Sequence, residues 1–123
     1  MKKILLVEDN ELNRMLAARF LRREGYNVVI ADDGQKGVDL AASEMPDMIL
    51  MDIDLPVLSG IDATRKIKES PATKHIPILV LTGHDSPRDV RRAADAGCCG
   101  YELKPIAYSR LMQKVNAFLE AGN

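Results

Sequence analysis

At 123 residues and 46% hydrophobic, the chain carries enough apolar surface for one sizeable core and no room for a second of equal size, so residues 1–123 are expected to form one domain. Seventeen Lys plus Arg against eighteen Asp plus Glu give a net charge of -1, without the basic excess of a phosphate-backbone binder, which argues against nucleic acid as a direct partner. Cys98 and Cys99 are adjacent, an arrangement poor for a structural disulfide and lacking the second pair that a zinc site needs, so both are expected as reduced thiols.

The opening "MKKILLVEDN" reaches acidic residues after four apolar positions. That is too early for a signal peptide or a membrane span, and a cytoplasmic protein is expected. Lys2 to Val7 reads as a strand. Asn10 is placed to cap a first helix on which Leu12, Leu16 and Phe20 share a face, and Gly25 is placed to end it. Asn27 to Ala31 reads as the second strand. Val38, Ala41, Ala42 and Met45 form the stripe of a second helix, closed by Pro46. After a third strand at Asp47 to Asp52, Ile61, Thr64 and Ile67 mark a short third helix that stops near Ser70, because Pro71 follows. Pro77 to Thr82 is the fourth strand. Ser86 as cap, Pro87 at the first helical position and Asp89 three residues after the cap open the fourth helix. Cys99 to Leu103 completes the strands, and Leu111, Val115, Phe118 and Leu119 mark a last helix.

Strands alternating with helices imply a parallel sheet covered on both faces, because right-handed crossovers put helices on each side. The runs "ILLV", "MILM" and "ILVL" agree, being apolar where a half-wet strand would alternate. In such doubly wound α/β sheets the site lies beyond the carboxyl ends of the strands. Those ends carry Glu8 and Asp9, Asp52 and Asp54, Thr82, and Lys104, with Asp32 and Asp33 at the outer side. A sheet order of 2-1-3-4-5 gathers the polar ends and sets the first and third strands roughly 4.8 Å apart, so that Asp9 and Asp52 can share a ligand. Two carboxylates about 5 Å apart repel by roughly 3 kcal/mol at an effective dielectric near 20. A cluster of this kind needs protons, a cation or a lysine. All-oxygen donors suit a hard divalent cation, and a small open site that keeps waters suits Mg2+, with Glu8, Asp9, Asp52 and a backbone carbonyl just past Asp52, that of Asp54, as ligands. Opposite them, Lys104 would balance transferring oxygens, Thr82 would hydrogen-bond one, and an aspartate would act as nucleophile in phosphoryl transfer.

"VEDN" after the first strand, "LMDIDLP" at the third with Gly60 eight residues past Asp52, "LTG" at the fourth and "YELKP" at the fifth together resemble the receiver domain of two-component response regulators over essentially the whole chain. The resemblance implies the flavodoxin-like (βα)5 fold and carries the same 2-1-3-4-5 order with it. It also implies that Asp52 accepts a phosphoryl group from a sensor histidine kinase or a histidine phosphotransfer protein. By the same matching, Glu8 and Asp9 are the acidic pair, Thr82 the switch hydroxyl, Tyr101 the switch aromatic and Lys104 the family's lysine, before a cis Pro105. Phosphorylation would draw Thr82 inward, let Tyr101 rotate, and reshape the face of the fourth helix, fifth strand and fifth helix for a downstream protein effector. Arg88, Arg91 and Arg92 would add a basic edge to that face, and Leu12, Asn13 and Leu16 would form part of the kinase-docking face.

Further expectations follow from where this chain varies. Asp54 and His84 would tune the phosphoryl lifetime, Gly83 would leave the approach open, and Glu102, where an apolar residue is commoner, would lie on a wet edge or under a partner. A monomer or weak phosphorylation-dependent dimer is expected, standing alone or drawn from a hybrid kinase, with no independent substrate turnover. No appended output domain is expected, so signalling would pass through another protein. Two rivals stand beside this reading. The Asp52-x-Asp54 pattern also resembles phosphatases of the haloacid dehalogenase superfamily, although Pro56 stands where Thr or Val is usual there. A receiver-like scaffold that never takes phosphate is the other.

Overall fold

In a computed structural model of the chain, residues 1–83 and 87–121 are described. Five strands alternate with five helices: β1 (Lys3–Val7), α1 (Glu11–Arg23), β2 (Asn27–Ala31), α2 (Gly34–Glu44), β3 (Met48–Asp52), α3 (Gly60–Glu69), β4 (Ile78–Thr82), α4 (Pro87–Ala96), β5 (Gly100–Leu103) and α5 (Tyr108–Ala121). The strands pair in parallel in the order β2-β1-β3-β4-β5. Every residue of β3 and β4 is buried, as is all of β1 after Lys3. Continuous apolar runs are what a strand covered on both faces requires. Alternate side chains divide the interior into two layers. Leu5, Val7, Ile49, Met51, Ile78 and Val80 pack on the side of α2, α3 and α4, and Ile4, Leu6, Met48, Leu50, Leu79 and Leu81 on the side of α1 and α5.

The caps follow the sequence closely. Asn10 accepts from the Asn13 N–H, Asp33 from that of Lys36 and Ser59 from that of Asp62, so α1 to α3 each start on a polar side chain that satisfies a free donor. Gly25, at φ 92°, ends the turn after α1 in the left-handed region. Ser86 lies outside the described residues, while Pro87 is the first residue of α4 as its missing N–H favours.

Two helical stripes differ from expectation. Leu12 and Leu16 are 58% and 41% exposed, and α1 instead buries Ala17, Ala18 and Leu21. Small alanines let the helix lie close to the sheet, which turns the bulkier leucines outward. On α2 the buried positions are Gly34, Gly37 and Ala41, and Ala42 and Met45 are exposed. Met45 is the C-cap, left-handed at φ 47°, and so stands beyond the stripe it seemed to continue.

Candidate functional site

The carboxyl ends of β1, β3 and β5 bring Glu8, Asp9, Asp52 and Lys104 together, and Thr82 stands at the end of β4. After β1 the chain stays tied to the sheet through the Glu8 N–H, which donates to the Ala31 carbonyl at 3.0 Å, so Glu8 is buried and Asp9 exposed. Arg14, one turn into α1, fixes this corner by donating from Nη1 to the Glu8 and Asp9 carbonyls at 3.0 and 3.3 Å. Nothing in the sequence pattern singled out Arg14, because its targets are backbone oxygens.

Asp52 is the last residue of β3 and only 3% exposed. The chain then folds back so tightly that the Gly60 N–H donates to the Ile53 carbonyl at 2.8 Å. A Cβ at position 60 would stand 1.8 Å from the Asp52 carbonyl oxygen, which is why this position is glycine. Thr82 ends β4 and is buried. Its carbonyl accepts the Lys104 N–H at 2.8 Å, which carries Lys104 past the end of β5 and toward the carboxylates, and the Lys104–Pro105 peptide is cis.

The Lys104 ammonium lies 2.9 Å from Glu8 Oε1 and 3.2 Å from Asp52 Oδ2. Carboxylate oxygens of Glu8, Asp9 and Asp52 all come within 4.8 Å of one another. Burial, then the hydrogen bond and charge of Glu8, push the Asp52 carboxyl up to about 7 against the pull of Lys104. Burial also works to raise Glu8, but hydrogen bonds from Lys104 and Asp52, the lysine's charge and the Asn10 N–H hold it below the usual carboxylate range. Burial would lower Lys104, yet Glu8 and Asp52 raise it. Near neutrality the pair therefore keeps a shared proton on the Asp52 side, which a divalent cation would expel. Three convergent oxygen donors with no nitrogen or sulfur among them fit a hard cation.

The remaining predicted residues fall around this centre. Asp54 is exposed, and its N–H donates to Asp52 Oδ1 at 3.4 Å. Gly83 is exposed, and a Cβ there would meet nothing within 4 Å. His84 lies outside the described residues. Asp33 caps α2, and Asp32 pairs with Lys36 at 2.9 Å, so both stay outside the pocket. Tyr101 packs half-buried against the layer of α3 and α4. Glu102 departs from expectation: it is 3% exposed, not wet, because Arg110 and Lys114 of α5 close over its carboxylate at 2.7 and 3.2 Å. Beside the pocket, a cavity of about 510 Å3 opens between α1 and the segment before α5, with Leu16, Ala17, Ile106 and Tyr108 on its walls and Glu8 and Lys104 at its base.

A doubly wound sheet whose fifth strand sends a lysine across to the carboxylates of the first and third defines the receiver-like class of α/β signalling folds. Residues 4–116 match the family described as the response regulator receiver domain, and the chain belongs to that family. It is 36% identical over 118 residues to the polar-differentiation response regulator DivK of Brucella anthropi, with 96% of each chain covered. Among solved structures it resembles the receiver domain of the sensor histidine kinase PA1611 from Pseudomonas aeruginosa, which has a magnesium ion coordinated in its active site cleft, at TM-score 0.91 and 35% identity over 97% of this chain and 98% of that one. The chemotaxis protein CheY4 of Vibrio cholerae is similar at TM-score 0.90 and 28% identity, over 96% and 98%. The family sets Asp52 and Asp54 in a receiver rather than in a haloacid dehalogenase phosphatase.

Proposed function

We propose that residues 1–123 act as one receiver domain in which Asp52 accepts a phosphoryl group from a phosphohistidine of a sensor kinase or histidine phosphotransfer protein. In that step an Asp52 carboxylate oxygen bonds to phosphorus and the phosphorus–nitrogen bond breaks, its electron pair staying on nitrogen, so that a phosphohistidine ring protonated on its other nitrogen leaves as neutral imidazole. Glu8, Asp9, Asp52 and the Asp54 carbonyl would hold Mg2+, which supplies charge neutralisation for the transferring oxygens when bound. Lys104 does the same from the opposite side, and Thr82 hydrogen-bonds a phosphoryl oxygen. The supporting observation is the reach of Lys104 Nζ, 3.2 Å from Asp52 Oδ2, which poises a cation at the nucleophile. Thr82 and Tyr101 then alter the α4–β5–α5 face, to which Arg88, Arg91 and Arg92 add a basic edge, and change its affinity for a protein effector. Asn13 and Leu16 border the cavity beside the pocket, and together with the exposed Leu12 they receive the kinase. The chain works as a monomer or a weak phosphorylation-dependent dimer. Asp54, together with His84, sets how long the phosphoryl group lasts.

Phosphotransfer from a panel of the host's histidine kinases tests this reading. Wild type takes up label with magnesium, Asp52→Asn takes up none, and Asp54→Asn accepts label but loses it at a changed rate. Equal labelling of Asp52→Asn overturns the assignment of the acceptor. Absence of label from every kinase and small-molecule phosphodonor favours the scaffold reading instead.

A further inference from the structure

Neighbouring side chains on a strand point to opposite faces of the sheet. Tyr101 packs with the layer of α3 and α4, and Leu81, the register partner of Glu102, packs with the layer of α1 and α5. The Lys114 ammonium nevertheless touches both neighbours. It lies 3.2 Å from the Glu102 carboxylate, donates to the Tyr101 carbonyl at 2.7 Å, and sits 5.8 Å from the centre of the Tyr101 ring. Such reach is open to it because β5 is the last strand of the sheet and pairs only with β4. A side chain from α5 can therefore wrap round the free edge, where lysine is also a common guard against strand addition.

Glu102 explains why the ammonium stays there. Its carboxylate is buried, with Arg110 Nε on Oε1 at 2.7 Å, and the Lys114 ammonium 3.2 Å away is the partner of Oε2, which accepts no well-aligned hydrogen bond among the described residues. Arg110 and Lys114 stand four residues apart, one turn of α5, so both present to the same carboxylate. A buried carboxylate that lost one of two cations would be left poorly compensated. Lys114 is thus fixed by Glu102, and the ring of Tyr101 is the one member of the group that can leave at small cost.

We propose that Lys114, held by Glu102, is a positioning residue that stabilises the unphosphorylated placement of Tyr101 and so sets the affinity of the pocket for the phosphoryl group. This rests on the reading of Asp52 as acceptor and Tyr101 as switch. In this placement the Tyr101 ring has the Lys114 ammonium 5.8 Å from its centre, and a rotation of the ring away from Lys114 would give that contact up. By linkage, what the resting state gains from the contact is subtracted from phosphoryl binding.

The test is the affinity of the whole chain for beryllofluoride with magnesium, a mimic of the phosphoryl group, followed by the chemical shifts of Thr82 and Tyr101. Lys114→Met, which keeps the stem and removes the charge, should bind about two- to fivefold more tightly, the range of an exposed cation–ring contact. Lys114→Arg should restore the wild-type value, and Lys114→Met should have no effect in a Tyr101→Leu background. A purely structural role would lower the unfolding temperature of Lys114→Met and leave affinity unchanged, which overturns the inference while the acceptor reading stands. Tightening that persists without the Tyr101 ring overturns it equally. Wild type that binds no beryllofluoride overturns the acceptor reading and this inference with it.

Discussion

At the scale of single residues, the carboxylate pocket depends on a position that carries no charge. Gly60 lets α3 begin against the end of β3, with the space for a Cβ already taken by the Asp52 carbonyl. Gly60→Ala should cost about 3 kcal/mol, since overpacking at a contact with backbone cannot be relieved by a rotamer change. Urea unfolding measures this, and a loss under about 1 kcal/mol would mean that the β3–α3 turn yields easily. The sequence carried the polar members of the site openly, because Glu8, Asp52, Thr82 and Lys104 each interrupt or follow an apolar run. Arg14 and the burial of Glu102 were not legible in that way. Arg14 acts on carbonyls that any sequence would supply, and the partners of Glu102 stand 8 and 12 positions later on α5, visible as a group only after the helix is laid across β5.

At the scale of elements, strand and helix limits were readable to within a residue or two, since Gly, Pro and capping side chains punctuate the chain, whereas the strand order came with the family resemblance and the gathering of polar ends. The inward face of α1 was not. Its leucines repeat at helical spacing, but the sheet takes Ala17, Ala18 and Leu21, and the Phe20 ring stacks on Tyr108 of α5 at 4.8 Å between centroids. Periodicity reports that an apolar face exists, whereas the tightness of packing decides which of two adjacent stripes goes in. The exposed stripe belongs to function under the proposed reading. Leu12→Ala should change stability by less than about 0.5 kcal/mol, as for an ordinary surface position. It should nonetheless slow phosphotransfer from the cognate kinase. Measured by label uptake at limiting kinase, an unchanged rate would remove Leu12 from the docking face.

For the whole molecule, the coupled carboxylates make stability depend on pH. The Asp52 carboxyl is raised from 3.8 to about 7 in the fold. Native protein therefore keeps a proton that the unfolded chain has released, and the stabilisation this confers is complete below about pH 4 and lost as pH rises through about 7. Glu8, held below its usual range, acts in the opposite sense, and its contribution is lost on acidification below that range. Magnesium-free wild type should accordingly lose stability relative to Asp52→Asn between about pH 4 and 7, and added magnesium should recover it at neutral pH. Parallel denaturation curves for the two proteins across that window would show that Asp52 titrates normally.

The bond from Lys104 to Glu8 joins positions 96 residues apart. A nascent chain still lacking residue 104 already has Glu8, Asp9 and Asp52, yet not the ammonium that bridges Glu8 and Asp52 in the fold. Under the proposed reading, uptake of a phosphoryl group would therefore need residue 104 in place, and a copy truncated before it should take up no label from a kinase.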